Sequence, residues 1–415
     1  MGTSLDCASS WQALVDELYA LRRFGIKPGL RRMQQSLQAE GNPHRSYDVI
    51  TVAGTNGKGT VASSVAAILQ SHGRRVGLYT SPHLLDVRER FRVDGMPLDR
   101  ESVEPLLRRL LSEYAAGDHK SGARLTFFEM TTLAAACLFG STDVDCAVME
   151  VGLGGRLDAV NAMDPTVSVV TPVGRDHTRY LGDQIWQIAG EKAGIFRPGV
   201  PAVIGHQEEA EAHEALLKCA RQTGAIPRVV EGVEELSVTE RHWATARCGA
   251  QIYLDVAWNE SHFDRARRCW RWPGRFHQLN LDEEGRLLWI DAAHNQPGVE
   301  ALRDWLTRCE RPPCGAIWGG MRDKEADSVQ ALLDWLDCPV WGSIVDNRRG
   351  RTEEELRRHV PQRLWRGAAA TGECLRDARR ATRGDLLAFG SVFLVGEVYE
   401  WLGVEVDSLC TYADD

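Results

Sequence analysis

What this chain of 415 residues has little of narrows the field first. No apolar run approaches the roughly 20 residues of a membrane helix, so no membrane partner is expected. Positive charge is in deficit: 49 Lys and Arg against 58 Asp and Glu leave a formal net charge of −9. That balance argues against a general binder of nucleic acid or of an anionic membrane surface. The 11 cysteines include no CxxC pair. An odd count without metal spacing or a secretory leader reads as reduced thiols in a cytoplasmic protein, each a small buried hydrophobe. A myristoylation signal is excluded because Asp6 stands where Ser or Thr is needed. Internal repeats and low-complexity segments are also missing.

What remains is a composition of 43% hydrophobic and 26% charged residues, enough for sizeable cores. The length suggests two or three domains. One stretch organises the rest: Val49-Ile50-Thr51-Val52-Ala53-Gly54-Thr55-Asn56-Gly57-Lys58-Gly59-Thr60. A buried β-branched strand runs into a glycine turn, and Val61, Val65, Ile68 and Leu69 then form the stripe of a helix. Glycines allow backbone N–H groups to converge on a phosphate, and the helix N-terminus adds a positive field. Lys58 can reach a phosphate oxygen and Thr60 can hold Mg²⁺. The spacing differs from the common phosphate loop, because Gly59 separates Lys58 from Thr60.

Further strands are expected at 75–79, 146–151, 167–171 and 200–204, with helices at 11–39 (broken at Phe24–Gly29), 102–116 and 128–139. Strands alternating with helices imply a doubly wound, mostly parallel sheet. Ligands of such sheets sit beyond the carboxyl ends of the strands. Gly54–Thr60, Ser81, Glu150 and Asp176-His177 all follow such ends, so four chemical groups gather on one edge. Residues 205–271 read as less regular and rich in charge. Trp270 and Trp272 read as packing residues, and Pro273-Gly274-Arg275-Phe276 as a hinge. A second α/β pattern follows, with strands at 287–291, 316–318, 340–345 and 386–389.

Glu150 and His177 can share a divalent cation with Thr60 and Ser81, since oxygen donors and one imidazole suit Mg²⁺ or Mn²⁺ when phosphate completes the shell. Taken alone, Lys192 reads as a solvated helix-end lysine. Arg90, Arg92 and Arg156 are expected to form a positive face at the same edge, suited to an anionic substrate or simply solvated. Asp291 and His294 form the corresponding edge of the second domain, and a cleft between two α/β domains suits a two-substrate reaction.

These residues resemble the Mur-ligase superfamily, and within it the folylpolyglutamate synthase/dihydrofolate synthase group. The matching segments are Ala53–Thr60, Thr80–His83 with Arg88–Arg90, Thr126–Glu129, Glu150–Asp158, Asp176–Thr178 and Glu191–Gly194. They continue through Pro273–Phe276, Asp291–Asn295, Gly320–Lys324 and Gly390-Ser391 with Leu394–Glu397. Their order and spacing hold over nearly the whole chain. The resemblance implies an α/β protein with a phosphate-loop ATPase domain at 1–272, a hinge at 273–283 and a smaller α/β domain at 284–415.

It also implies an ATP-dependent amide ligase that adds L-glutamate to dihydropteroate, to reduced folates, or to both through an acyl phosphate. By carry-over, Asn56, Gly57, Lys58, Gly59 and Thr60, with Arg275 and Asp291, meet ATP. Thr60, Ser81, Glu150 and His177 ligate Mg²⁺, with two metal sites expected. Lys192 matches a lysine that is carbamylated in relatives and supports the second metal. Lys58, Lys192, His177 and His294 are the expected catalytic residues. Lys27 in the loop Gly25-Ile26-Lys27, with Arg90, Thr126, Phe128, Glu129, Arg156 and Asp158, contacts the pterin substrate. His294 and Ser391 lie near the incoming glutamate. A monomer is expected. The family's Asn- and Ala-rich central helix, whose Asn meets adenine, is not recognisable; Asn259 is the nearest candidate. Two other readings stand beside this one: another Mur-type amino-acid ligase, and a nucleotide-binding homologue without ligase activity.

Overall fold

The β-branched run after Tyr47 lies near the middle of the larger of two sheets in the computed structural model. That model describes residues 3–25, 27–115, 124–283, 285–324 and 326–413, with side chains apart from those of 3–9, 23 and 24. The described residues divide into two compact units. The first comprises 1–81, 87–270 and 411–415, and the second 82–86 and 271–410.

In the first unit the helices are α1 (Thr3–Ala20), α2 (Arg31–Ala39), α3 (Lys58–Ser71), α4 (Arg100–Tyr114), α5 (Phe127–Ser141), α6 (Thr178–Leu181), α7 (Ile185–Ala193), α8 (Ala210–Thr223), α9 (Val238–Leu254) and α10 (Glu260–Cys269). The strands are β1 (Asp48–Ala53), β2 (Val76–Tyr79), β3 (Phe91–Val93), β4 (Met96–Pro97), β5 (Cys146–Glu150), β6 (Val167–Val170), β7 (Pro201–Ile204) and β8 (Ile226–Val229). They line up as β4-β3-β2-β5-β1-β6-β7-β8. All neighbouring pairs are parallel except β2–β3 and β3–β4.

Central parallel strands are covered on both faces and therefore read as continuous apolar runs; β1 is buried at every position after Asp48. One face packs on α3, α9 and α10 through Val65, Ile68, Trp243, Ala246 and Phe263. The other packs on α1, α2, α4, α5, α7 and α8 through Leu18, Met33, Leu107, Leu133, Ile188 and Leu216. The chain leaves β1 toward β2 on one side, and β6 joins on the other. The end of β1 is thus the switch point where a crevice opens.

The second unit holds β9 (His277–Asn280), β10 (Leu287–Asp291), α11 (Gln296–Leu306), β11 (Gly315–Trp318), α12 (Asp327–Leu336), β12 (Val340–Ser343), α13 (Glu353–Arg357), β13 (Trp365–Ala369), α14 (Thr371–Ala381), β14 (Leu386–Phe389) and α15 (Val392–Leu402). Its sheet runs β13-β12-β11-β14-β10-β9, and only β9 is antiparallel to its neighbour. Residues of α14 and α15 cover one face, and those of α11, α12 and α13 the other.

Three expectations need correction. Residues 205–271 are not irregular: they hold α8, β8, α9 and α10. The face that α9 buries is His242, Trp243, Thr245, Ala246, Gly249, Ala250 and Leu254, for the most part too small or too polar to register as an apolar stripe. The stretch 273–283 contains β9, paired with β10 from His277 to Asn280. Strands β8 and β13 also escape the sequence pattern. The first carries Pro227 on a sheet edge, and the second carries Gly367 at φ 113° beside a register shift.

Candidate active site

Between β1 and α3 the chain makes a turn that only glycine fits at two points. Gly54 has φ 150°, and a Cβ there would stand 1.8 Å from Thr171 Oγ1. Gly57 has φ 77°, and a Cβ there would stand 2.2 Å from His242 Nε2. Both positions are therefore closed to side chains. The turn is stitched to the end of β6. Thr55 N donates to Pro172 O at 2.9 Å and Thr171 Oγ1 to Asn56 O at 2.7 Å. Thr55 Oγ1 donates to Gly174 O at 3.0 Å. Gly57 is the N-cap of α3, no side chain caps it, and the first turn carries no acid. The N–H groups of Lys58, Gly59 and Thr60 open a helix whose end favours an anion. Lys58 Nζ donates to Thr55 O at 3.0 Å, which folds the side chain over the turn.

Two neighbouring strand ends add charge. Glu150 ends β5 opposite Val52 and is 4% exposed, and its Oε2 accepts from Ser81 N at 2.8 Å. Lys192, on the last turn of α7, is 3% exposed and donates to Gly54 O at 2.7 Å. Burial, and then the charge of Lys58, hold its amine well below the usual lysine range against a pull from Asp176. Lys58, Lys192 and Asp176 are thus close enough to feel one another. His177 sits in the left-handed region at φ 53°, with a half-exposed ring whose Nε2 is 3.9 Å from Asp176 Oδ2. Glu150, the hydroxyls of Ser81 and Thr60 and the His177 imidazole are the donor types that suit Mg²⁺ or Mn²⁺. Among the described residues no three His, Cys, Asp or Glu side chains form a metal cluster by themselves.

A third group of loops meets beside this edge. Asp158 Oδ2 accepts from Gly152 N and Leu153 N at 3.1 and 3.0 Å, and Oδ1 from Val160 N at 3.0 Å. Burial nevertheless pushes its carboxyl up to about 7, with the backbone bonds and the Lys58 charge opposing. Thr126 and Glu129 form a reciprocal capping box that starts α5. Phe128 lies against Gly152, where a Cβ would meet the ring at 2.6 Å. Lys27 is exposed and its carbonyl accepts from Arg32; Ile26 lies outside the described residues.

The expected positive face does not form. Arg92 is 2% exposed, and Arg90, 4% exposed, lies 5.0 Å from the centre of the Phe127 ring. Both are drawn inward by strand β3 and its approach, leaving solvent free of them. Arg156 is exposed but bonded to Glu191 at 2.7 Å.

In the second unit Asp291 ends β10, buried, accepting from Phe276 N at 2.9 Å and Ala293 N at 2.7 Å. Burial raises its carboxyl, and the nearby Arg275 opposes. His294 Nδ1 is 2.8 Å from Ala292 O. Ser391 is buried, and its hydroxyl caps α15 by accepting from Leu394 N at 3.1 Å.

The Mur ligase middle-domain model matches residues 52–223. The chain is 32% identical over 423 residues to the dihydrofolate synthase/folylpolyglutamate synthase of Escherichia coli, covering 94% of this chain and 93% of that protein. The chain belongs to the folylpolyglutamate synthase/dihydrofolate synthase family. It is also 32% identical to a probable bifunctional folylpolyglutamate synthase/dihydropteroate synthase of Haloferax volcanii, of which it spans 49% of the length. Among solved structures, E. coli FolC in complex with DHPP and ADP superposes with a TM-score of 0.81 at 29% identity, over 94% of this chain and 97% of that one. A bifunctional folylpolyglutamate synthase/dihydrofolate synthase with Mn, AMPPNP and L-glutamate bound gives 0.82 at 28%, over 94% and 98%.

Within this family fold, two residues escape sequence reasoning. His242 of α9 packs on Gly57, is 8% exposed, and burial lowers its imidazole to about 4, so the ring is neutral. Asn259, the nearest sequence candidate for the missing central-helix Asn, caps α10 through Ser261 N at 2.9 Å. Arg32, one position into α2, holds Glu129. A helix after the charged stretch, beginning at the Ser237 cap, is the signal that was available for His242; nothing local marks Arg32.

Proposed function

We propose that this chain is an ATP-dependent ligase that joins L-glutamate to the carboxylate of dihydropteroate or of a reduced folate. The observation that carries this is the edge just described. The closed glycine turn, the buried Lys192–Gly54 bond, the Glu150–Ser81 bond and the Asp158 turn all stand after neighbouring strands of one sheet. The solved relatives in complex with DHPP and ADP, and with Mn, AMPPNP and L-glutamate, support the same set of ligands here.

The γ-phosphoryl group passes from ATP to the substrate carboxylate, giving ADP and an acyl phosphate. The amine of L-glutamate then attacks the acyl carbon, an amide forms, and phosphate and a proton leave. Lys58 and the α3 N-terminus hold phosphate oxygens and meet the charge that develops on them. Thr60, Ser81, Glu150 and His177 would hold a divalent cation, which would supply charge neutralisation on those oxygens. Two such sites follow from the family resemblance, the second supported by Lys192. A neutral amine is the form that adds CO₂, and burial shifts Lys192 toward that form; a carbamate there exchanges a cationic side chain for an anionic one. Asp158 and Phe128, with the loop at Lys27, face the pterin acid. Family resemblance assigns Arg275 and Asp291 to the nucleotide, and His294 and Ser391 to glutamate. It also supports two domains dividing near residue 272, a monomer, and a cytoplasmic setting. Among the described residues no helix is long and apolar enough to cross a membrane.

The test is an assay of the purified protein with ATP, Mg²⁺ and labelled glutamate, supplying dihydropteroate and tetrahydrofolate separately. Glutamate-dependent ADP release with label transfer to either acid supports the proposal. ATP binding without turnover on either acid overturns it in favour of a non-catalytic homologue. Turnover with glutamate on a different carboxylate alone favours another Mur-type ligase.

A further inference from the structure

Arg32 has no role in the reading above, yet it joins two segments that do. Its Nε donates to Glu129 Oε1 at 3.0 Å, and its Nη2 stands 2.7 Å from the same oxygen. The same Nη2 donates to the carbonyl of Lys27 at 2.5 Å. The other oxygen of Glu129 accepts from Thr126 N and Thr126 Oγ1 at 2.9 and 2.8 Å. Both carboxylate oxygens are thus committed, in a side chain only 6% exposed, against 28% for Arg32. Removing one member of such a pair leaves a buried charge unsatisfied.

The loop is held at a second point. Gly29, at φ 138°, donates its N–H to Leu157 O at 3.4 Å, one residue before Asp158. Residues 27–29 are therefore tied to the start of α5 through Arg32 and to the Asp158 turn through Gly29. Without Arg32 the loop loses the shorter of these bonds.

We propose that Arg32 is a positioning residue: by bridging Glu129 and the Lys27 carbonyl it fixes the 27–29 loop over the Leu157–Asp158 turn, and so sets the affinity for the pterin-bearing acid. This rests on the functional reading above. A planar fork can reach a carboxylate and a carbonyl together, whereas a lysine ammonium keeps the charge but not that geometry. Arg32 touches no reacting atom; it acts through the loop.

The test compares wild type with Arg32→Gln, Arg32→Lys and Glu129→Gln. Separate KM values for the pterin acid, ATP and glutamate are measured, with amide hydrogen exchange over 27–30 and thermal melting. Arg32→Gln is expected to raise KM for the pterin acid about tenfold, the scale of a displaced binding segment. KM for ATP stays within twofold, and the Gly29 amide exchanges faster. Arg32→Lys is expected to recover the melting temperature but only part of the KM. An equal rise in all three KM values, tracking a loss of melting temperature, makes Arg32 merely structural and overturns the proposal. An unchanged Gly29 exchange rate in the variants also overturns it. That readout needs no turnover. If wild type acts on neither pterin acid, the functional reading fails by itself, and exchange still decides the clamp.

Discussion

Lys192 Nζ lies 2.7 Å from the carbonyl oxygen of Gly54, the residue that opens the phosphate loop. Burial favours the uncharged amine, and the Lys58 charge presses the same way while Asp176 opposes. The folded pKa is lowered, so the unfolded chain binds more protons between that value and the ordinary lysine value. This group's contribution to stability therefore falls as pH drops through that window. Lys192→Met is expected to cost at least ~100-fold in kcat. The same change relieves the burial of a chargeable amine, so the melting temperature at neutral pH should not fall. Wild-type activity should rise with added bicarbonate. A variant melting many degrees lower, or one that turns over normally, contradicts this.

Lys58 bends over the loop to Thr55 O at 3.0 Å, a bond that a phosphate oxygen can replace. Lys58→Ala is expected to lower ADP release by ~10²–10³-fold with the circular dichroism spectrum unchanged. A turnover number within tenfold of wild type removes Lys58 from the phosphate site.

Glu150 donates no bond and holds Ser81 through its backbone N–H at 2.8 Å. Glu150→Gln keeps that acceptor but loses the charge. The Mg²⁺ concentration for half-maximal activity should rise by about tenfold or more, in line with losing one charged oxygen ligand. A superimposable metal titration shows that the cation is held elsewhere.

How far the molecule was legible depended on where the partners of each residue lie in the chain. The phosphate loop declares itself because its glycines, lysine and hydroxyl are consecutive and follow a β-branched run. The same holds for Glu150 and Asp158, which each close a strand or open a turn. Arg32 could not be read, since its partner Glu129 is 97 residues away and nothing near it is unusual. Helix α9 was hidden because its inward face carries His242, Thr245 and Gly249 where a stripe of leucines would have been seen. Arg92 misled in the opposite direction. Charge suggested solvent, but its place opposite Leu78 in a covered sheet buries it.

Asp158 offers a pH test with a defined sign. Burial pushes its carboxyl up to about 7 in the fold, against roughly 3.9 for an unperturbed aspartate. The folded chain thus binds more protons in that interval, and stability from this group is present below pH 4 and lost as pH rises through 7. Asp158→Asn cannot ionise, although its amide nitrogen no longer accepts the backbone N–H groups that one oxygen held. The melting temperature of wild type minus that of Asp158→Asn should therefore decline from pH 5 to pH 8. A flat or rising difference shows that the carboxyl ionises at its ordinary pH in the fold.

Gly57 stands tight against His242, and the contact can be tested by a double-mutant cycle. Gly57→Ala meets two obstacles. The backbone must stay near φ 77°, costing ~1–2 kcal/mol for a residue with a Cβ. The new methyl also falls 2.2 Å from His242 Nε2, an overlap that forces the loop or α9 to shift. ADP affinity, measured by calorimetry, should fall by more than tenfold. His242→Ala removes a buried ring and lowers the melting temperature, while opening space beside Gly57. In the double variant the overlap is gone and only the backbone cost of the alanine remains. The losses in ADP affinity should then be less than additive, with a coupling of ~1–3 kcal/mol. Strictly additive losses would show that the imidazole does not bear on position 57, and the loop's shape would have to be credited to its bonds with Thr171 and Pro172 alone.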